Sequence, residues 1–180
     1  AAHRFERHRH ARVLALVARL RAGGETLTGR LDGLYRRHGL HSTSQLSFRV
    51  ADLSLIAEAM ARAAAVGVTR AVTIADDLEA ARWAVRAAHW DDRVAAAVAL
   101  HPTRTASVTE AEHAEIERLA TDPRVVAIGE TGLDYYWDHS PPAAQQESFR
   151  RHIDLAKRLG KPLMIHDRDA HDDVLRILRE

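Results

Sequence analysis

From residue 51 onward two kinds of apolar pattern alternate along the chain. Short, unbroken apolar runs occur at TRAVTIA (69–75), RVAAAVALHP (93–102), RVVAIGETGLD (124–134) and KPLMIHDRD (161–169). Each has strand length and is bounded by polar or turn-forming residues, so each predicts a β-strand. Between them lie one-sided patterns near the helical period. They predict helices from about Asp52 to Ala65, over 77–90, over 109–121 and over 142–160, with another opening at AHDDVLRILRE. The boundaries carry matching chemistry. Asp52 and Asp76 or Asp77 suit N-caps, prolines open 142–160, and Gly67 and Gly160 stand just past helix ends.

The alternation predicts βαβ units and a parallel sheet covered on both faces. Two architectures compete, a doubly wound open sheet and a (β/α)-barrel. No G-x-G-x-x-G turn follows any strand, which removes support for a dinucleotide fold. Polar, chemically capable residues instead end several successive strands: His101, Glu130 and His166. Barrels collect their chemistry in this way, so the fold class predicted is α/β, a (β/α)8 TIM-type barrel. A full barrel takes ~250 residues. Four strands, with a possible fifth near 40–46, amount to four to five βα units, about the first half of a barrel.

Residues 1–50 read differently. Val13, Leu14, Leu16, Val17 and Leu20 form a stripe that predicts a helix over about 8–22, stopped by Gly23 and Gly24. His3, His8 and His10 read as surface histidines, and 25–50 have no clean period. The division expected is therefore a basic, unassigned segment, 1–50, and a partial barrel, 51–180.

Composition adds limits. Residues 1–50 hold ten arginines against Glu6, Glu25 and Asp32, although the whole chain carries a formal charge of only +1. A basic arm on an acidic body allows nucleic-acid contact, and it equally describes a solvated arginine-rich face, the reading preferred here. Absence of cysteine excludes a disulfide partner and a thiolate zinc site, and makes a reducing, cytoplasmic location the default. No apolar run approaches the ~20 residues of a membrane helix, and the first residues do not have the pattern of a secretion signal.

Chemistry concentrates in AIGETGLDYYWDHS (127–140) and KPLMIHDRDAHDD (161–173). A carboxylate and an imidazole at neighbouring strand ends suit a divalent cation, Zn²⁺ or Mn²⁺ for mixed N/O donors and Mg²⁺ for an oxygen-rich set. Glu130 and His166 are the metal-ligand candidates, and Glu130 and Asp134 the catalytic ones. Asp134 either orients a ligand or caps its loop. Arg168 offers a planar fork for a phosphate oxygen, or else pairs with Asp167, Asp169 or Asp134. His101 stands between a structural and a functional reading. His171, Asp172 and Asp173 suit a helix start on dipole grounds alone. Trp83, Trp90, Tyr135, Tyr136 and Trp137 read mainly as packing residues, the last three with an option on a pocket mouth.

AIGETGLDYY, QQESFRRHIDLAKRLGKPLMIHDRDAHDDVLRIL, VALHP and AAAVGVTRAVTIADDLEAARWA together resemble the TatD-related metal-dependent deoxyribonucleases over about residues 52–180. The resemblance implies a (β/α)8 barrel with two divalent ions, acting as a hydrolase of DNA phosphodiesters. It implies Glu130 as a metal-bridging carboxylate, His166 as a metal ligand, and His101 and Arg168 as substrate or phosphate contacts. The family's opening D-x-H-x-H-L-D strand finds its nearest counterpart in HSTSQLS (41–47), which puts Thr43 and Gln45 in place of two metal histidines. That departure implies weak metal binding. It keeps open a degenerate, non-catalytic binding module, alongside a related barrel hydrolase of esters or amides.

Overall fold

The computed structural model describes residues 53–180. The chain divides into two units, Ala1–Phe48 and Arg49–Glu180, and the described residues belong to the second. The helix expected over 8–22, the strand near 40–46, the histidines of 1–10, Thr43, Gln45 and the Asp52 cap lie outside the described residues.

Helix α1 (Ser54–Ala64) leads to β1 (Ala71–Ile74), α2 (Leu78–Trp90), β2 (Val94–Val98) and a 3-10 turn at Pro102–Arg104. There follow α3 (Glu110–Ala120), β3 (Val125–Asp134), α4 (Pro142–Leu159), β4 (Leu163–Arg168) and α5 (His171–Leu178). The ends form for local reasons. Asp77 accepts a hydrogen bond from the Ala80 N–H at 2.8 Å and caps α2. Thr109 and Glu112 complete a capping box on α3. Pro142 opens α4, and Gly160 closes it at φ +63°, a conformation that costs glycine little.

All four strands are parallel and lie side by side in chain order, β1-β2-β3-β4. A doubly wound sheet reverses its strand order at a switch point; a barrel wall does not. Among the described residues the sheet is thus half of a (β/α) barrel wall, with its helices in the connections.

The main core is built from small side chains. Ala81, Ala84 and Ala88 of α2 meet Ala96 and Val98 of β2, with Ile116 and Leu119 of α3 and Ile128 of β3 closing the layer. Alanine facing alanine lets α2 sit close to the strand, and the larger side chains fill the remaining space. Full burial of a residue such as Ile128 contributes ~1.5–3 kcal/mol. A second cluster joins Leu133 of β3 to Phe149 and Ile153 of α4 and to Val174 and Ile177 of α5. It fixes the helices behind the end of β3, where the polar residues gather.

Coverage of the sheet is less even than the unbroken apolar runs predict. Val72 and Ile74 of β1 remain 44% exposed and Ile165 of β4 40%. Among the described residues β1 and β4 are the outer strands of this sheet, each with a strand neighbour on one side.

Candidate metal centre

Two glycines set the geometry of the centre. β3 pairs with β4 at Ile128–Leu163 and again from Thr131–Ile165 onward, with a register shift between. A Cβ on Gly129 would lie 2.4 Å from the Cβ of Met164. A Cβ on Gly132, at φ +133°, would lie 2.1 Å from the His166 carbonyl oxygen. Both positions must stay bare for β4 to approach β3, and Gly132 also needs a φ that other residues rarely adopt. Glu130 sits between them. It is therefore not at a strand end, as the sequence pattern predicts, but inside β3 at the irregular stretch, and its N–H donates to the Ala75 carbonyl just past β1.

This arrangement brings His101, Glu130 and His166 together. One potential ligand atom from each lies within 4.8 Å of the others, and all three residues are half-buried. His101 stands past the end of β2 and caps the 3-10 turn that follows, and its N–H donates to the Asp76 carbonyl at 3.0 Å. Its Nδ1 is taken up by Thr103, 2.7 Å from Oγ1 and 3.3 Å from the backbone N–H. That leaves Nε2 for the cluster. The His101 and His166 rings meet edge to face at 4.4 Å between centroids.

His166 lies between two carboxylates. Its Nδ1 is 3.2 Å from Glu130 Oε1, and its Nε2 is 2.9 Å from Asp134 Oδ2. Burial works against the imidazolium, yet the hydrogen bonds to Glu130 and Asp134 carry the His166 pKa above its ordinary value. The same hydrogen bond to His166 holds Glu130 below the usual carboxylate range. Burial, helped by the nearby His166, pushes His101 down to about 4, so it is neutral at pH 7.

Asp134 makes contacts in both of the directions that the sequence leaves as alternatives, one toward His166 and one toward its own loop. While Oδ2 faces His166, Oδ1 accepts the N–H groups of Tyr136 at 3.1 Å and Trp137 at 3.0 Å. Its own backbone is clamped by buried Gln145, whose Oε1 accepts the Asp134 N–H at 2.8 Å and whose Nε2 donates to the Asp134 carbonyl at 2.9 Å. Gln145 Nε2 also donates to the Ser140 carbonyl at 2.8 Å. Sequence reasoning assigns no role to Gln145 or Thr103. The leading Gln of QQESF was the available signal for the first; for Thr103 there was none beyond its proximity to His101.

Of the two readings of Arg168, the ion pair is not the one formed. Among the described residues none of its three candidate acids pairs with it. Asp167 binds His171 Nδ1 at 2.8 Å, and Asp134 binds His166. The guanidinium instead lies over the Tyr136 ring, 3.9 Å from its centroid, and 5.7 Å from that of Trp137. Tyr136 and Trp137 are not core residues either; they stay 55% and 39% exposed. Tyr135 is the packing residue of the three, half-buried against the second core cluster, with its hydroxyl donating to Asp173 at 2.7 Å.

The donor set fits a divalent cation. Two imidazoles and a carboxylate converge, and Asp134 is placed to accept the Nε2–H of His166 while Nδ1 faces Glu130. A carboxylate behind a ligating histidine fixes its tautomer and raises its basicity. Mixed N/O donors suit Zn²⁺, Mn²⁺ or Fe.

The family described as TatD related DNase matches residues 44–180. The uncharacterized metal-dependent hydrolase TatD of Mycobacterium tuberculosis (strain ATCC 25618 / H37Rv) is 59% identical over 133 residues, which cover 71% of this chain and 50% of the relative. The protein named 3'-5' ssDNA/RNA exonuclease TatD of Musicola paradisiaca (strain Ech703) is 35% identical over 121 residues, covering 67% of this chain and 46% of the relative. Among solved structures, the TatD homolog YJJV from Escherichia coli K12 matches with a TM-score of 0.65 at 29% identity, over 70% of this chain and 50% of that one. The chain spans about half the length of the curated relatives it matches.

Proposed function

The chain belongs to the TatD related DNase family, whose relatives include metal-dependent hydrolases, and from that premise we propose that the whole protein hydrolyses phosphodiester bonds of DNA. The observation that carries this reading is the convergence of His101, Glu130 and His166 within 4.8 Å, with Arg168 two residues beyond His166 on the same strand. His101, Glu130 and His166 hold a divalent ion, and Asp134 keeps His166 in the tautomer that ligation needs. When bound, such an ion supplies a water acidic enough to yield hydroxide near pH 7 and neutralises charge on a phosphate oxygen. Arg168 has no carboxylate partner among the described residues, so its N–H edge is available to a second phosphate oxygen. The 3'-5' ssDNA/RNA exonuclease name of one relative is in keeping with this substrate class.

The test begins with metal binding and ends with cleavage. Calorimetric titration of the full chain with Mn²⁺ is expected to give saturable binding that weakens at least tenfold in Glu130→Gln. Cleavage of an end-labelled single-stranded oligonucleotide by the Mn²⁺-loaded chain, lost in the same variant, completes it. Binding of DNA by the chain without metal-dependent cleavage would replace the enzyme with a binding module. Hydrolysis of carboxylic esters or amides alone would move it to the related barrel hydrolases.

A further inference from the structure

The loop after β3 carries an arrangement that packing does not explain. Tyr136 and Trp137 are large aromatic residues left substantially in water, and their rings meet edge to face at 4.8 Å. The Trp137 ring lies parallel to that of His139, 5.5 Å away. The loop is nonetheless fixed where these residues begin, because Asp134 accepts both of their backbone N–H groups. Exposed aromatics on a tethered backbone add little to stability, yet they present preorganised ring surface.

Arg168 ties this surface to the metal centre. It follows His166 by two residues on β4, a spacing of roughly 7 Å along a strand. Tyr136 supports the flat face of its guanidinium, and no acid pairs with it among the described residues. A guanidinium held by its face keeps its N–H edge for an oxyanion. Arg168 thus joins the strand that carries His166 to the ring of Tyr136.

We propose that Tyr136 and Trp137 form a base-stacking subsite for single-stranded nucleic acid, with Arg168 holding the adjoining phosphate. The inference rests on the phosphodiesterase reading and adds to it the part of the substrate that is gripped. Stacking on an aromatic ring requires an unpaired base and tolerates any of the four, so the subsite selects single strands without reading sequence. The rings bind the base face; the sugar lies outside their contact, so deoxyribo and ribo strands share this chemistry.

The experiment measures binding of the full chain to a labelled oligonucleotide and to an abasic oligomer of the same length, by fluorescence anisotropy in EDTA, where the strand stays intact. Deoxyribo and ribo series are run in parallel to separate the two sources of substrate. The base-bearing strand is expected to bind roughly 5- to 100-fold more tightly than the abasic one in at least one series. The double substitution Tyr136→Ala and Trp137→Ala is expected to erase that preference and leave abasic binding nearly unchanged, whereas Tyr136→Phe with Trp137→Phe keeps it. Equal affinity for both oligomers, no binding of either, or a preference that survives the double alanine change would overturn the proposal. Cleavage of the abasic strand with Mn²⁺ separates this result from the underlying reading. Cleavage without base preference removes the subsite alone, and base preference without cleavage removes the hydrolase alone.

Discussion

The Nε2 atom of His166 lies 2.9 Å from Oδ2 of Asp134, across the ends of two neighbouring parallel strands. Asp134 is almost fully buried, and its other oxygen is committed to two loop N–H groups. One carboxylate therefore fixes both the imidazole and the aromatic loop. In Asp134→Asn the amide oxygen can still serve the loop, but its NH2 cannot accept from Nε2–H. Mn²⁺ affinity measured by calorimetry is expected to fall ~10- to 100-fold with the fold intact. An unchanged affinity would show that the pair does not orient His166.

Gly132 gives the sharpest test of backbone geometry. Gly132→Ala puts a methyl group 2.1 Å from the His166 carbonyl at a φ of +133°. Strain and clash together are expected to cost ~3 kcal/mol or more, read as a lower urea midpoint. Gly67, at φ +91° with nothing within 4 Å of its Cβ position, is the control, because substitution there carries the strain without the clash.

Gln145 and Ser148 lie in the same helix and are both buried, but they face opposite outcomes. Gln145→Ala removes three hydrogen bonds and leaves the Asp134 N–H without its acceptor, an expected loss on the order of 3 kcal/mol. The Ser148 hydroxyl is buried and has no hydrogen-bond partner among the described residues. Ser148→Ala is expected to leave stability unchanged or raise it by up to ~1 kcal/mol. Chemical denaturation of the two variants checks both signs, and a large loss in Ser148→Ala would reveal a partner for that hydroxyl.

His152 makes stability depend on pH. The ring is fully buried, its Nδ1 is 2.9 Å from Thr131 Oγ1, and its Nε2 has no hydrogen-bond partner among the described residues. Burial pushes its pKa from 6.5 down to about 3. Between those values the unfolded chain binds a proton that the folded chain refuses. Its contribution is complete above about pH 6.5 and is lost as pH falls toward 3, at ~1.4 kcal/mol per unit. Urea midpoints taken between pH 7 and pH 5 should fall more steeply in the native chain than in His152→Gln. Parallel slopes would assign the acid sensitivity elsewhere.

The element order was legible because burial in this fold leaves unbroken apolar runs. All four strands and the helices between them stand within a few residues of their predicted ranges. Glu130 and His166 could be picked out because acids and histidines do not end apolar runs for packing reasons. Other features depend on contacts distant in sequence. Nothing near Gln145 states that its amide will close on the backbone of Asp134, eleven residues earlier. Arg168 stands among three acids in the text, yet it rests on an aromatic ring supplied by another strand's loop. The glycines of GETG were visible as a motif, but their reason is the approach of Met164 and His166 from β4.

The strand order has a consequence for assembly. Each strand from β2 onward hydrogen-bonds to the strand just before it in the chain, so the sheet can lengthen one βα unit at a time as the polypeptide leaves the ribosome. His101 and Glu130 are then in place while β4 is still being made. Arrival of β4 brings His166 against both, so the centre is completed by the last strand to be synthesised among these four, and a cation that binds there rewards a finished wall over a partial one.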